Sequence, residues 1–169
     1  MKRVAELLNA MLDARVISDY AVFGAVAQMR YTEAIVTLDA DILIAVPDET
    51  MIDVLSPIYS FCRACDYFPD GESIRVGNWP VQFVPAFNKI TRDAMDNAET
   101  ADFEGVRLRV VSALYLAVIA LEVGRAKDFA RILSLIESGA TNSNAIATLA
   151  GKYNLNQHWV RFKDRFLDE

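Results

Sequence analysis

Two carboxylates stand two residues apart in the stretch TLDADILIAV, residues 37–46. Along an extended chain, side chains i and i+2 leave the same face, so Asp39 and Asp41 are expected to point the same way. Ile42, Leu43, Ile44, Ala45 and Val46 follow as an apolar run with β-branched members, the pattern of a strand covered on both faces. Like charges fixed side by side repel, and such a pair usually implies a cation or a shared proton. The other reading is a solvated turn at a strand edge, but the apolar run argues for a central strand.

A mixed set of elements must position these groups. Residues 2–16 place Val4, Leu7, Leu8, Met11 and Leu12 on one helical stripe. YAVFG reads as a short strand ending at Gly24, AVAQMRY as the helix after it, and the aspartate-bearing strand is expected from about Val36 to Val46, before Pro47. The next segment opens with the cap formers Asp48 and Thr50, the latter followed by Asp53 three residues on, and has helical spacing around an internal Pro57. FPDGES is a turn. A hairpin is expected from Ile74–Val76 through Gly77 and Asn78 to Val81–Val84.

From Thr91 onward no strand is expected. VVSALYLAVIALEVGRAKDFARILSLIESG reads as one long helix ending near Gly139, followed by helices in SNAIATLAGKYNL and NQHWVRFKDRFL. Strands mixed with helices first and helices alone later predict an α+β chain. Its α/β core would span residues 1–104 and its helical C-terminal portion residues 105–169, packed on that core.

Composition limits the partners. The chain has 169 residues, 53% hydrophobic and 24% charged, which suits one ordinary globular domain. No apolar stretch approaches the roughly 18 residues a membrane span needs, and the start lacks a signal-cleavage pattern, so no membrane partner and a cytoplasmic location are expected. Residues 1–104 carry 8 Lys+Arg against 17 Asp+Glu, a net of −9, and residues 105–169 carry 9 against 6, a net of +3. An acidic front half argues against a free-standing nucleic-acid binder, while the basic rear half could hold a phosphate-bearing ligand against metal-loaded carboxylates. Cys62 and Cys65 form a lone CRAC motif with no second pair; a structural zinc wants four ligands, two thiols at this spacing could form a redox disulfide, and two small half-buried helix residues are the reading expected.

The stretch FGAVAQMRYTEAIVTLDADILI resembles the minimal nucleotidyltransferases of the DNA polymerase β-like superfamily, especially the abortive-infection toxin group. There a glycine-rich strand end precedes a Thr-x-Asp-x-Asp motif at the same remove. GNWPVQFVPAFN occupies the place of the family's third-carboxylate strand, LYLAVIALEVGRAKDFARI looks like its helical motif around Arg-x-Lys-Asp, and KYNLNQHWVRF like its closing helices. The resemblance implies a polymerase β-like fold, a small mixed sheet flanked by helices. It also implies Mg²⁺-dependent transfer of a nucleoside monophosphate from a nucleoside triphosphate such as ATP to an acceptor: tRNA, protein or small molecule. A toxin–antitoxin setting and a homodimer or protein partner come with the same resemblance.

By this resemblance Asp39 and Asp41 are the catalytic metal ligands, and Gly24, Ala25, Thr37, Arg125, Lys127 and Asp128 are nucleotide-binding, with Lys127 on phosphate and Asp128 orienting it. Read without it, Gly24 is a strand-end turn, Thr37 is a β-propensity choice, and the Arg125–Arg131 cluster is a solvated helix end with its cations where the macrodipole favours them.

Three positions depart from the pattern of active relatives. Where many place a third acidic residue this chain has Val81, Gln82 and Phe83, and a neutral amide cannot take a proton from a hydroxyl. The glycine motif reads Gly24-Ala25, and Ala120 stands where a lysine is often found one turn before Gly124. Glu33, Glu72 and Glu104 are candidate compensating carboxylates. The alternative function is therefore a degenerate nucleotide-binding or regulatory protein. Trp79, Phe83, Phe87, Tyr115, Trp159, Phe162 and Phe166 are expected in the core, and His158 on a helix surface or interface.

Overall fold

A computed structural model of the chain describes residues 1–33, 35–48 and 53–167. The apolar run after the aspartates forms β2 (Ala40–Ala45), flanked by β1 (Asp19–Phe23), antiparallel, and β5 (Trp79–Pro85), parallel. Ile42, Leu43 and Ile44 are buried, as a strand with a neighbour on each side and cover on both faces requires. The strand is shorter than expected. Val36 and Leu38 lie before it and stand exposed, so the sheet takes up the chain only after Asp39.

Around this centre the sheet has the order β3-β4-β5-β2-β1-β7-β6. The expected hairpin joins β4 (Ser73–Val76) to β5, with Val76 opposite Trp79 across Gly77 and Asn78. The FPDGES turn also carries a two-residue edge strand, β3 (Pro69–Asp70), paired with β4. A second hairpin, β6 (Glu99–Phe103) and β7 (Val106–Val110), lies in the region where no strand was expected. Its turn residues Glu104 and Gly105 both have positive φ, 52° and 80°, the backbone of a two-residue hairpin turn that follows the strand twist. The sheet therefore runs past residue 104, and the boundary expected there falls inside this turn; the all-helical part begins with α5 (Ala113–Val123).

Helix α1 (Lys2–Asp13) buries Val4, Leu7, Leu8 and Met11, the stripe read from its spacing. After β1 the chain turns into the short α2 (Gly24–Gln28). Helix α3 (Ser56–Ala64) begins later than expected: Asp53 accepts a hydrogen bond from the Ser56 amide at 3.0 Å, and Pro57 sits in the first turn. Proline is tolerated there because the first amides have no intrahelical acceptor. Of the two expected caps, Asp48 lies well before this helix and Thr50 lies outside the described residues. Cys62 is buried, Cys65 is exposed, and both are free thiols; burial pushes the Cys62 thiol up to about 12.

The long helix expected up to Gly139 is two helices. Gly124 ends α5 with φ of 70°, a left-handed cap, and α6 (Ala126–Glu137) starts afresh behind Arg125. Helices α4 (Lys89–Asp96), α7 (Ser143–Lys152) and α8 (Asn156–Phe166) complete the described chain. Eight of the eleven residues of α5 are buried, an unbroken run from Tyr115 to Leu121 among them, which explains its apolarity all round. Phe83, Tyr115, Trp159 and Phe162 are buried as expected, and Phe162 meets Phe129 and Phe166 at ring separations of 5.7 and 5.3 Å. Phe87 departs from the expectation: at 69% exposure it lies on the surface just after β5. The buried residues of sheet and helices form one continuous cluster.

Candidate functional site

Asp39 and Asp41 line one cleft of about 510 Å³ together with Thr37, Lys127 and Arg131. Three local choices of sequence build its acidic wall. Asp41, the second residue of β2, stands opposite Phe23, the last residue of β1, so the turn into α2 brings Gly24 directly against it. Gly24 has φ of 65°, and a Cβ placed on it would collide with Oδ2 of Asp41 and lie 3.2 Å from its Cγ. The Thr37 hydroxyl donates to the main-chain oxygen of Asp39 at 3.0 Å and faces its Oδ1 at 3.4 Å. Gln82 pairs with Asp41 in the β2–β5 register and donates from Nε2 to Oδ2 of Asp39 at 3.2 Å. The position read from sequence as a replaced carboxylate thus sits at the site, as a donor.

The basic wall comes from the first two turns of α6. Asp128, 1% exposed, caps this helix: its carboxylate accepts from the Arg125 amide at 3.2 Å and from the Arg125 Nε at 2.7 Å. It also pairs with Arg131 at 3.5 Å, and the Arg131 Nε donates to Oε1 of the buried Gln28 at 3.0 Å. The sequence reading had Asp128 orienting Lys127; its partners here are Arg125 and Arg131. Lys127 is exposed at the cleft and has no ion-pair partner within 4.0 Å among the described residues. Ala25 lines the same cleft, while Arg125 is not part of its lining and bears on Asp41 through its charge.

Burial pushes the Asp41 carboxyl above its usual value, and the neighbouring Asp39 charge pushes the same way, while Arg131, Lys127 and Arg125 pull it back. Burial lowers the Arg131 guanidinium, opposed by Asp128 and Asp41. The Arg125 guanidinium is raised by its hydrogen bond to Asp128. The cleft therefore holds an acidic pair and two cations in its lining, a field suited to a ligand that carries both a metal ion and phosphates.

Arg131 and Gln28 are the residues that site reasoning from sequence undervalued. Arg131 belonged to the basic cluster but had no assigned role; its spacing of four from Lys127 puts both on one face. Gln28 lies four residues beyond Gly24, one turn along α2, and a polar residue there was the available signal. Among the candidate compensating carboxylates, Glu33 lines a neighbouring hollow that shares Ile35 and Ser134 with the cleft. Glu72 and Glu104 occupy hairpin turns outside it. His158 is exposed on α8, lining a separate hollow beside Phe162.

No protein-family model and no curated protein matches the chain. Among solved structures, the chain is similar to the crystal structure of an antigenic nucleotidyltransferase-like protein from Paracoccidioides brasiliensis. The TM-score is 0.58 at 18% identity, over 93% of this chain and 90% of that one. The complex of ANT(2″)-Ia with adenylyl-2″-tobramycin matches at a TM-score of 0.49 and 13% identity, over 96% of this chain and 97% of that one. The solution structure of the antibiotic-resistance factor ANT(2″)-Ia matches at 0.49 and 13%, over 98% and 92%. With the first of these the chain shares the nucleotidyltransferase fold, a mixed sheet flanked by helices.

Proposed function

We propose that this nucleotidyltransferase-fold chain binds a nucleoside triphosphate with Mg²⁺ in the Asp39–Asp41 cleft and transfers its nucleoside monophosphate to an acceptor. The observation that carries this reading is that Asp39, Asp41, Lys127 and Arg131 line one cleft. The residues fit a hard divalent cation: both acidic ligands offer oxygen, and burial beside a like charge holds Asp41 in a state that a bound cation would relieve. When bound, such an ion neutralises phosphate oxygens and acidifies an attacking hydroxyl.

The chain's own residues do the rest. Lys127 and Arg131 hold phosphate oxygens, Lys127 as a mobile point charge and Arg131 as a planar donor fixed by Asp128 and Gln28. Gly24 leaves the space that the Asp41 carboxylate fills. In the transfer the acceptor hydroxyl oxygen bonds to the α-phosphorus while its proton passes to solvent water, the bond from that phosphorus to the α,β-bridging oxygen breaks, and pyrophosphate leaves with that oxygen. Gln82 takes no proton from the acceptor, so turnover is expected to be slow by about the 10²–10⁴-fold that a general base contributes.

A second reading, a nucleotide-dependent binding or regulatory protein, is favoured by Gln82 alone. Calorimetric titration with each nucleoside triphosphate and Mg²⁺ tests binding, which should vanish when Asp39→Ala and Asp41→Ala are combined. Pyrophosphate release with tRNA, protein and small-molecule acceptors then separates transfer from binding. Nucleotide binding unchanged in the double variant would refute both readings.

A further inference from the structure

We infer that the cleft takes one divalent cation per chain rather than two, and that Gln82 sets this number by holding Asp39; the inference rests on the nucleotide–metal reading above. Two ions side by side need carboxylates that bridge them, plus at least one ligand belonging to the second ion alone. Among the described residues no group of three or more His, Cys, Asp and Glu side chains could hold a metal. Asp39 and Asp41 therefore have no third anionic partner within the described chain.

The hydrogen bonds of Asp39 point the same way. Its Oδ2 accepts from Gln82 Nε2 at 3.2 Å, and its Oδ1 faces the Thr37 hydroxyl at 3.4 Å. The one Thr37 proton goes to the main-chain oxygen of Asp39, so the side-chain donor is Gln82, and a carboxylate with one oxygen held this way keeps lone pairs for one cation but is poorly placed to bridge two. The orientation of the Gln82 amide follows from its neighbour, since turning it over would set its carbonyl oxygen against a carboxylate oxygen. The β2–β5 register puts Gln82 beside Asp41 as well, so an acidic residue there would supply the ligand that a second ion lacks. Gln82 is a positioning residue: it fixes one carboxylate and withholds a third.

Counting bound Mn²⁺ tests this without reference to turnover. Equilibrium dialysis of the full chain, with paramagnetic resonance to measure free Mn²⁺, is run alone and with saturating α,β-methylene analogues of ATP, GTP, CTP and UTP. The wild type should retain one Mn²⁺ per chain beyond what the free nucleotide carries. Gln82→Asp should retain two, with the spectral broadening of a coupled pair, and Gln82→Glu provides the same count should the shorter acid fail to fold. Two Mn²⁺ in the wild type would overturn the inference while leaving the nucleotide–metal reading intact. A single Mn²⁺ in a folded acidic variant would do the same. No retained Mn²⁺ with any analogue would overturn both.

Discussion

Gly24 leaves room for the Asp41 carboxylate that no other residue would leave: a Cβ at position 24 would occupy the place of that carboxylate, 3.3 Å from the Asp41 Cβ. The backbone adds a second restriction, because φ of 65° disfavours any L side chain by about 1–2 kcal/mol. Gly24→Ala should destabilise the fold by roughly that amount, since the colliding atom belongs to a movable side chain. Its larger effect should fall on function, with Mn²⁺ and nucleotide affinity down at least roughly tenfold as Asp41 is displaced. Denaturant unfolding and calorimetry on the same preparation check both halves.

Asp128 is buried while one of its partners, Arg125, is largely exposed and the other, Arg131, is only 15% exposed. Removing the carboxylate strands Arg131 and uncaps α6. Asp128→Ala should therefore cost about 3 kcal/mol, the scale for breaking a buried pair from one side. Arg125→Ala, which removes an exposed partner, should cost about 1 kcal/mol or less. Urea midpoints of the two variants distinguish this ordering from one in which both members matter equally.

Both partners of the α4–α7 contact meet at Asp93, whose Oδ2 accepts from Lys152 Nζ at 2.7 Å and from the Tyr153 hydroxyl at 2.6 Å. These bonds hold the Asp93 carboxyl below its usual value, the Lys152 bond first. A carboxyl depressed in the fold contributes stability that is present above its unfolded pKa and is lost as pH falls through its folded pKa. Asp93→Asn should lower the melting temperature at neutral pH. The gap to the wild type should narrow only as the medium is acidified below the ordinary carboxylate range, near pH 4. Melting curves from pH 7 downward follow it.

How much of this was legible in the sequence depended on whether a signal was local. The run from Ile42 to Ile44 and the turn at Gly77 and Asn78 declare themselves through composition, and both elements stand where the pattern put them. The β6–β7 hairpin carried an equally local sign, since Val106, Leu108 and Val110 alternate with Arg107 and Arg109. The helical reading that begins at Val110 took in only the last of those residues and left the others without an element. Gly124 was overridden by the hydrophobic run on which it sits, although glycine is the usual end of a helix. The site divides in the same way. A two-residue spacing reveals Asp39 and Asp41, whereas the bonds from Gln82 to Asp39 and from Arg131 to Gln28 join positions 43 and 103 residues apart. Only the folded sheet and the packing of α6 create those.

Lys127 offers the cleanest separation of binding from stability. It is exposed, lines the cleft that the aspartates also line, and has no ion-pair partner within 4.0 Å among the described residues. Surface substitutions of that kind change stability by no more than about 0.5 kcal/mol, so Lys127→Ala should melt like the wild type. A charge-assisted bond to phosphate is worth about 1.5–3 kcal/mol, so nucleotide affinity should fall roughly tenfold or more. Lys127→Arg should recover part of the loss by restoring the charge, and the wild-type affinity should weaken with added salt more steeply than that of Lys127→Ala. Equal affinity and equal salt dependence in Lys127→Ala would remove this residue from the phosphate site and leave Arg131 as the cation that faces the ligand.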